Sequence, residues 1–241
     1  MPKVLIADNV SDVVCEIFDT NNIEYEKKVG LSEDELSAEI KGYDGLLIRS
    51  AVTVTKKIIE SSDTLKVIGR PGVGVDNVDL QASSEKNIVV MNTPLGNVQA
   101  TAELTFGIIH SLMRKIHIAN SSMHNKKWEK KKLIGNELLG KNIAIIGFGN
   151  IGKKVADFAQ AYGMNIIVVS ETASSGDVDY LNAKVMKFDD MLSEADIITF
   201  HNKLSEKSKY IINSESLKQM KKNSIVINCA RGGIVNEADM K

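Results

Sequence analysis

Short apolar runs alternate with helix-spaced segments along most of the 241 residues, the pattern of an α/β chain built on parallel sheets. Val4–Ala7 is a strand, and Val13, Val14, Ile17 and Phe18 recur at helical spacing within Val10–Thr20. Leu31–Ile40 is a second helix, with Ser32 as N-cap and Glu35 three residues on as its capping-box partner. Leu46–Ile48 and Lys66–Ile68 follow as strands, separated by a helix near Thr55–Ser61. Val75–Glu85 is a further helix and Ile88–Met91 a further strand. Asn92-Thr93-Pro94-Leu95-Gly96-Asn97 then collects turn formers, which places a domain boundary here: residues 1–93 in one domain and 94–241 in another.

Val98 to His124 reads as one long helix rich in Ala, Leu and Ile. Its apolar surface exceeds what one domain needs, so a homo-oligomer is expected. A second α/β unit begins at Lys141. Its first strand breaks into Gly147-Phe-Gly-Asn-Ile-Gly152 and then a helix at Lys153–Ala161. In a Gly-x-Gly-x-x-Gly turn of this kind, Gly147 allows the tight turn, Gly149 a close approach of backbone to pyrophosphate, and Gly152 the packing of helix on strand. The phosphates then meet backbone N–H groups at a helix N-terminus. The second strand, Asn165–Val169, ends on Ser170 and Glu171, where an acidic residue normally accepts the ribose hydroxyls of NAD. Glu171, if turned inward, repels the 2′-phosphate of NADP, and no arginine follows to pair with one. NAD is therefore the expected cofactor. Ala183–Val185, Asp196–Phe200 and Ser224–Asn228 bring the unit to five strands against the usual ~six of a dinucleotide fold. The last residues, Asn236–Lys241, continue a helix-like pattern, so this domain is expected to be incomplete and the chain truncated at its C-terminal end.

Composition narrows the function. With 43% hydrophobic and 25% charged residues the chain is an ordinary globular one, and a net charge of −1 gives no reason to bind nucleic acid or an anionic membrane. The cluster Lys126, Lys127, Lys130, Lys131, Lys132 reads as a solvated helix end and loop ahead of a nucleic-acid patch. No apolar run is long enough to span a membrane, and the N-terminus is a strand rather than a signal peptide. Two cysteines, Cys15 and Cys229, fit a reducing cytoplasm, and no metal-ligand spacing is present. His110, His117 and His124 share a face of the long helix, as a polar or interface stripe more readily than a ligand set. His201 follows a strand end and faces the cofactor side.

Three strands lead into arginine: Arg49-Ser50, Gly69-Arg70 and Cys229-Ala230-Arg231. Pro71-Gly72-Val73-Gly74 beyond Arg70 offers backbone N–H groups for an anion nest, and Gly232-Gly233 follows Arg231. Any one arginine is compatible with a surface ion pair. Three at equivalent strand ends favour a small anionic substrate held by bidentate contacts.

Gly69–Asp79, Val90–Asn97, Ala102–Leu104, Lys127–Glu129, Gly147–Gly152 and Asn228–Glu237, in that order, resemble the D-isomer-specific 2-hydroxyacid dehydrogenases, over essentially the whole chain. The resemblance implies two doubly wound parallel-sheet domains: a flavodoxin-like substrate domain split between the chain ends, and a Rossmann nucleotide-binding domain inserted within it. It is strongest to members acting on 3-phosphoglycerate at Arg49-Ser50 and Gly72–Asp79, and so implies NAD-dependent oxidation of 3-phosphoglycerate for serine synthesis. It also implies that Arg49, Ser50 and the Val73-Gly74 backbone hold that substrate and that Asn150 and Ile151 line the pyrophosphate. Ser170 takes the ribose position, Asn202 and Cys229-Ala230 border the nicotinamide side, and Arg231 is the catalytic arginine. Ser170 stands in place of the usual Asp, Pro71 of a frequent Ala, and Lys203 of a frequent Pro. The family's catalytic Glu and His lie beyond position 241, so the 241 residues alone are expected to be inactive. The competing expectations are a hydroxypyruvate/glyoxylate reductase of the same family and an NAD(H)-sensing corepressor-type binding protein.

Overall fold

The computed structural model describes all 241 residues as two compact units, Met1–Asn97 and Val98–Lys241. The first unit alternates strictly: β1 (Lys3–Ile6), α1 (Val13–Thr20), β2 (Glu24–Lys27), α2 (Glu33–Glu39), β3 (Gly45–Leu47), α3 (Lys56–Ser61), β4 (Val67–Arg70), α4 (Leu80–Glu85) and β5 (Val89–Asn92). All neighbours pair in parallel, in the order β2-β1-β3-β4-β5, which is the flavodoxin-like order. Leu5, Leu46 and Ile68 of the strands pack with Leu36, Ile40, Ile58 and Ile59 of the helices to form its core. The Ser32 capping box forms as the sequence predicts: Glu35 N donates to Ser32 Oγ at 3.3 Å, and Ser32 N donates to the Glu35 carboxylate at 2.8 Å.

Three differences have local causes. Strand β2 escapes the apolar pattern, because Glu24-Tyr-Glu-Lys27 is an edge strand with no apolar run. Helix α1 begins at Val13 rather than Val10, and α4 at Leu80 rather than Val75. In α4 the cap is Asp79, whose carboxylate accepts Ala82 N at 2.9 Å. The preceding Val78 is instead drawn into a bridge with Val54.

The second unit runs α5 (Val98–Met113), α6 (Ile116–His124), β6 (Asn142–Ile146), α7 (Asn150–Ala161), β7 (Asn165–Val169), β8 (Lys184–Val185), α8 (Phe188–Leu192), β9 (Ile197–Phe200), α9 (Ser214–Gln219) and β10 (Ile225–Asn228). Its parallel sheet is ordered β10-β9-β6-β7-β8. The strand carrying the glycine turn is central, and the chain reverses direction across the sheet there, as in a Rossmann fold. The inner strands β6, β7 and β9 are buried on both faces. Ile143, Ile145, Ile166 and Val168 pack toward Phe106, Ile109, Val155 and Ala159, while Ala144, Ile146, Ile167 and Ile198 pack toward Met191, Leu192, Ile212 and Ile234.

The long helix expected from Val98 to His124 is broken. Lys115 adopts a left-handed conformation (φ 53°, ψ 35°) that ends α5 and restarts the chain as α6. His110 on α5 is therefore separated from His117 and His124, which both lie on α6. His110 packs on Tyr162, its ring centroid 4.8 Å away, His117 Nδ1 lies 3.2 Å from Ser111 O, and His124 Nδ1 lies 2.9 Å from Asn120 O. Residues 237–240 form turns rather than the expected helix, with Asn236 Oδ1 accepting Ala238 N at 3.2 Å. No helix is long and apolar enough to cross a membrane.

The capping box gives a direct check of local energetics in the first unit. Ser32→Ala should lower unfolding stability by about 1 kcal/mol, and Ser32→Gly by only a few tenths. Urea unfolding of the two variants measures the difference, and equal losses would contradict the assignment.

Candidate cofactor and substrate sites

Parallel strands put all their carboxyl ends on one edge, where ligands of such sheets bind. At that edge of the second unit, Gly147 has φ +91°, and a Cβ on it would stand 2.7 Å from Asn202 N and 2.8 Å from His201 C. A Cβ on Gly152 would stand 2.1 Å from Gly147 O. Both glycines are required by the protein's own packing. Gly149 is different: its φ of −81° suits any residue, and a Cβ on it would meet no atom within 4 Å. It is also the N-cap of the 12-residue helix α7 and provides no capping side chain. The first N–H groups of α7, at Asn150 and Ile151, thus stand at a helix N-terminus beside open space, which fits the approach of a pyrophosphate.

The other strand ends complete this edge. Ser170 Oγ accepts Thr172 N and Ala173 N, each at 3.3 Å, and so caps the turn after β7. Glu171 is exposed, with its carboxylate 2.7 Å from Lys207 Nζ, and that ammonium holds the carboxyl below its usual range. The sequence shows no arginine close by. The cation present is a lysine 36 positions away, which no local pattern reveals. Asn202 Nδ2 donates to Lys203 O at 2.9 Å, while its Oδ1 is buried without a hydrogen-bond partner. Beyond β10, Asn228 Oδ1 accepts Ala230 N at 3.1 Å and Asn228 Nδ2 donates to Arg231 O at 2.8 Å. This residue, to which the sequence pattern assigns no role, shapes the Cys229-Ala230-Arg231 turn. Within that turn an Arg231 guanidinium N–H donates to Ala230 O at 2.9 Å.

His201 does not resemble an acid–base group. Its Nε2 lies 3.0 Å from the hydroxyl of buried Thr199, with no carboxylate in that position. Burial pushes the imidazole down from 6.5 to about 4, so the ring is neutral at neutral pH.

The first unit holds a cavity of about 530 Å³, walled by Arg49, Ser50, Arg70, Pro71, Gly72, Thr93, Gly96 and Asn97, with Val10, Ser11 and Val14 completing it. Two of the three strand-end arginines thus meet in one cavity, and no acidic side chain lines it. The Arg70 guanidinium lies across Gly72, where a Cβ would stand 1.6 Å from one of its terminal nitrogens; its Nε is buried without a partner. Val73 and Gly74 are not part of this wall. Val73 O accepts Asn92 Nδ2 at 2.7 Å, and Gly74 is buried. The Arg49 loop is fixed by residues that sequence pattern does not single out. Buried Asp8 accepts Arg49 N and Ala51 N, each at 3.0 Å, and Asn77 Nδ2 donates to Arg49 O and Val52 O, each at 2.6 Å. Thr93, Gly96 and Asn97, turn formers in the sequence, are also cavity wall.

Comparison with known proteins agrees with this layout. Residues 106–241 match the family model described as D-isomer specific 2-hydroxyacid dehydrogenase, NAD binding domain. The D-3-phosphoglycerate dehydrogenase of Synechocystis sp. is 40% identical over 237 residues, covering 98% of this chain and 43% of that protein. The Homo sapiens enzyme of the same name is 41% identical over 235 residues, covering 98% and 44%. Among solved structures, the TT0316 protein from Thermus thermophilus superposes with a TM-score of 0.90 at 28% identity, covering 99% of this chain and 76% of that one. The chain spans less than half the length of the curated relatives it matches.

Two variants separate ligand space from packing space. Gly149→Ala should cost less than about 1 kcal/mol of stability, the difference between glycine and alanine at an N-cap, but weaken NADH binding about tenfold or more, because the methyl enters only the space a phosphate needs. Gly152→Ala should cost about 2 kcal/mol or more of stability through overpacking. A Gly149→Ala protein with full NADH affinity in a fluorescence titration would remove the phosphate assignment.

His201 predicts a pH dependence. The unfolded imidazole takes up a proton near 6.5 and the folded one only near 4. The stabilisation is therefore complete above 6.5 and is lost as pH falls toward 4. Between those limits the wild type should lose about 3 kcal/mol more than His201→Gln. Urea unfolding of both proteins across this range measures it, and parallel pH profiles would refute it.

Proposed function

The chain belongs to the D-isomer specific 2-hydroxyacid dehydrogenase family, and from that premise we propose that the full-length protein containing it oxidises 3-phosphoglycerate with NAD to 3-phosphohydroxypyruvate, a reaction that feeds serine synthesis. The observation that carries the substrate choice is the pairing of Arg49 and Arg70 in one cavity with Ser50 and no carboxylate in its wall. Lactate or glyoxylate offers a single carboxylate. A phosphorylated hydroxy acid offers two anionic groups, each suited to the planar fork of an arginine.

Bound NAD supplies the hydride acceptor. Asn150 and Ile151, at the first turn of α7, hold the pyrophosphate through backbone N–H groups, and Ser170 meets the ribose. Asn202 and the Cys229-Ala230 backbone border the nicotinamide. Arg49 and Ser50, supported by Arg70 and the Val73-Gly74 backbone, grip phosphoglycerate. Arg231 orients the carboxylate and the reacting C2 oxygen, placing C2 for hydride loss. We also read α5 and α6 as a surface for homo-oligomer formation, since Leu104, Ile116, Ile118 and Met123 are exposed along them.

Steady-state assays following NADH formation test the assignment. The full-length protein that contains this chain should turn over 3-phosphoglycerate in preference to D-lactate or glycolate. Arg49→Ala should raise KM for it about tenfold without changing NADH affinity, and Arg231→Lys should lower kcat about 10²–10³-fold. Turnover of glyoxylate or D-lactate, with none of 3-phosphoglycerate, would overturn the substrate.

A further inference from the structure

The charge arrangement after β7 departs from that of an edge selective for NAD. Such an edge places a carboxylate where it accepts both ribose hydroxyls and repels a 2′-phosphate. Here the residue directly after β7 is Ser170, small and neutral, with its Oγ turned to the Thr172 and Ala173 N–H groups. The carboxylate comes one residue later, at Glu171, and it is matched by Lys207 at 2.7 Å. Lys207 arrives from the loop after β9. Because β6 lies between β7 and β9 in the sheet, the pair crosses the end of the strand that carries the glycine turn.

The loop that presents Lys207 is built to hold its shape. Ser205 N donates to Ser208 Oγ at 2.8 Å, the same hydroxyl lies 3.0 Å from its acceptor Lys203 O, and Lys209 N donates to Ser205 O at 2.9 Å. Ser208 is buried, whereas the Lys207 side chain is 81% exposed. The backbone is fixed and the ammonium is free to change partners.

We propose that Lys207 sets the cofactor selectivity of this chain, neutralising Glu171 at the ribose end and serving as the cation for a 2′-phosphate, so that the site accepts NADPH alongside NADH. This rests on the dinucleotide reading of the edge given above. An exposed lysine–carboxylate pair is held weakly. A phosphate with nearly two charges is the stronger acceptor for an ammonium. Ser170 leaves room for that phosphate where an aspartate would repel it.

Fluorescence titration of the protein with NADH and with NADPH at low ionic strength tests this. The wild-type affinities should lie within about tenfold of each other. Lys207→Met should weaken NADPH about tenfold while leaving NADH within about twofold, Lys207→Arg should retain NADPH binding, and Glu171→Gln should tighten it. Both side chains are exposed, so these variants should fold as the wild type does. NADH binding intact with NADPH more than about a hundredfold weaker in the wild type, or an equal loss of both nucleotides in Lys207→Met, would overturn the assignment to Lys207 alone. Failure of the wild type to bind either nucleotide would overturn the dinucleotide reading itself.

Discussion

Gly147 and Gly152 are pressed against backbone where a methyl would sit: Gly152 against the carbonyl oxygen of Gly147, and Gly147 against the peptide joining His201 to Asn202. This double approach draws strand β6, helix α7 and the loop after β9 to one point. It aims the N-terminus of α7 along the carboxyl edge of the sheet and fixes the backbone of Asn202 beside the turn. Gly149 lies at the same turn and is the one motif glycine whose missing side chain the protein's own packing does not explain. The open position and the packing constraint are therefore separate residues of a single motif. Each can be altered without the other.

The first unit reaches a comparable end by another route. Its functional loops have no glycine-to-backbone contact of this kind at Arg49; a buried carboxylate organises them instead. Asp8 stands just past β1 and gathers the N–H groups of Arg49, Ala51 and its neighbour Asn9. A buried acceptor left without donors is costly, so these bonds define the loop. Arg49 is in consequence presented to the cavity by its backbone. At the opposite, amino edge the two units share a device: Asp44 accepts the N–H of Lys3 at 3.0 Å and Asp196 that of Asn142 at 2.8 Å, each pinning the first strand of its sheet to its neighbour.

What could be read in the sequence follows from the range of the interactions involved. The capping box at Ser32, the glycine turn and the buried strands are local or periodic, and they appear where expected. Strand β2 is polar because it lies at a sheet edge, so apolar patterning passes over it. The break at Lys115 uses a left-handed residue with neither glycine nor proline to announce it, and Asn136 N, from a distant loop, bonds Met113 O near the end of α5. Asp8 on the Arg49 loop, Asn77 on the Val52 carbonyl and Lys207 on Glu171 are contacts between residues 25 to 43 positions apart. Only the fold brings them together. The arginines were legible as strand-end residues, but their convergence in one cavity is a property of the β3 and β4 ends lying side by side.

The chemistry of the nucleotide edge is that of orientation. The polar groups gathered there are backbone N–H groups, the hydroxyl of Ser170, the amide of Asn202 and the guanidinium of Arg231, none of which changes charge near neutrality. The one histidine among them is held neutral by burial and spends its ring nitrogen on a threonine hydroxyl. Charge is instead kept at the rim, in the exposed Glu171–Lys207 pair. Such an edge can fix an anionic dinucleotide and align a carboxylate without taking up or releasing protons as it does so. The groups gathered at this edge are suited to binding and alignment rather than to proton transfer.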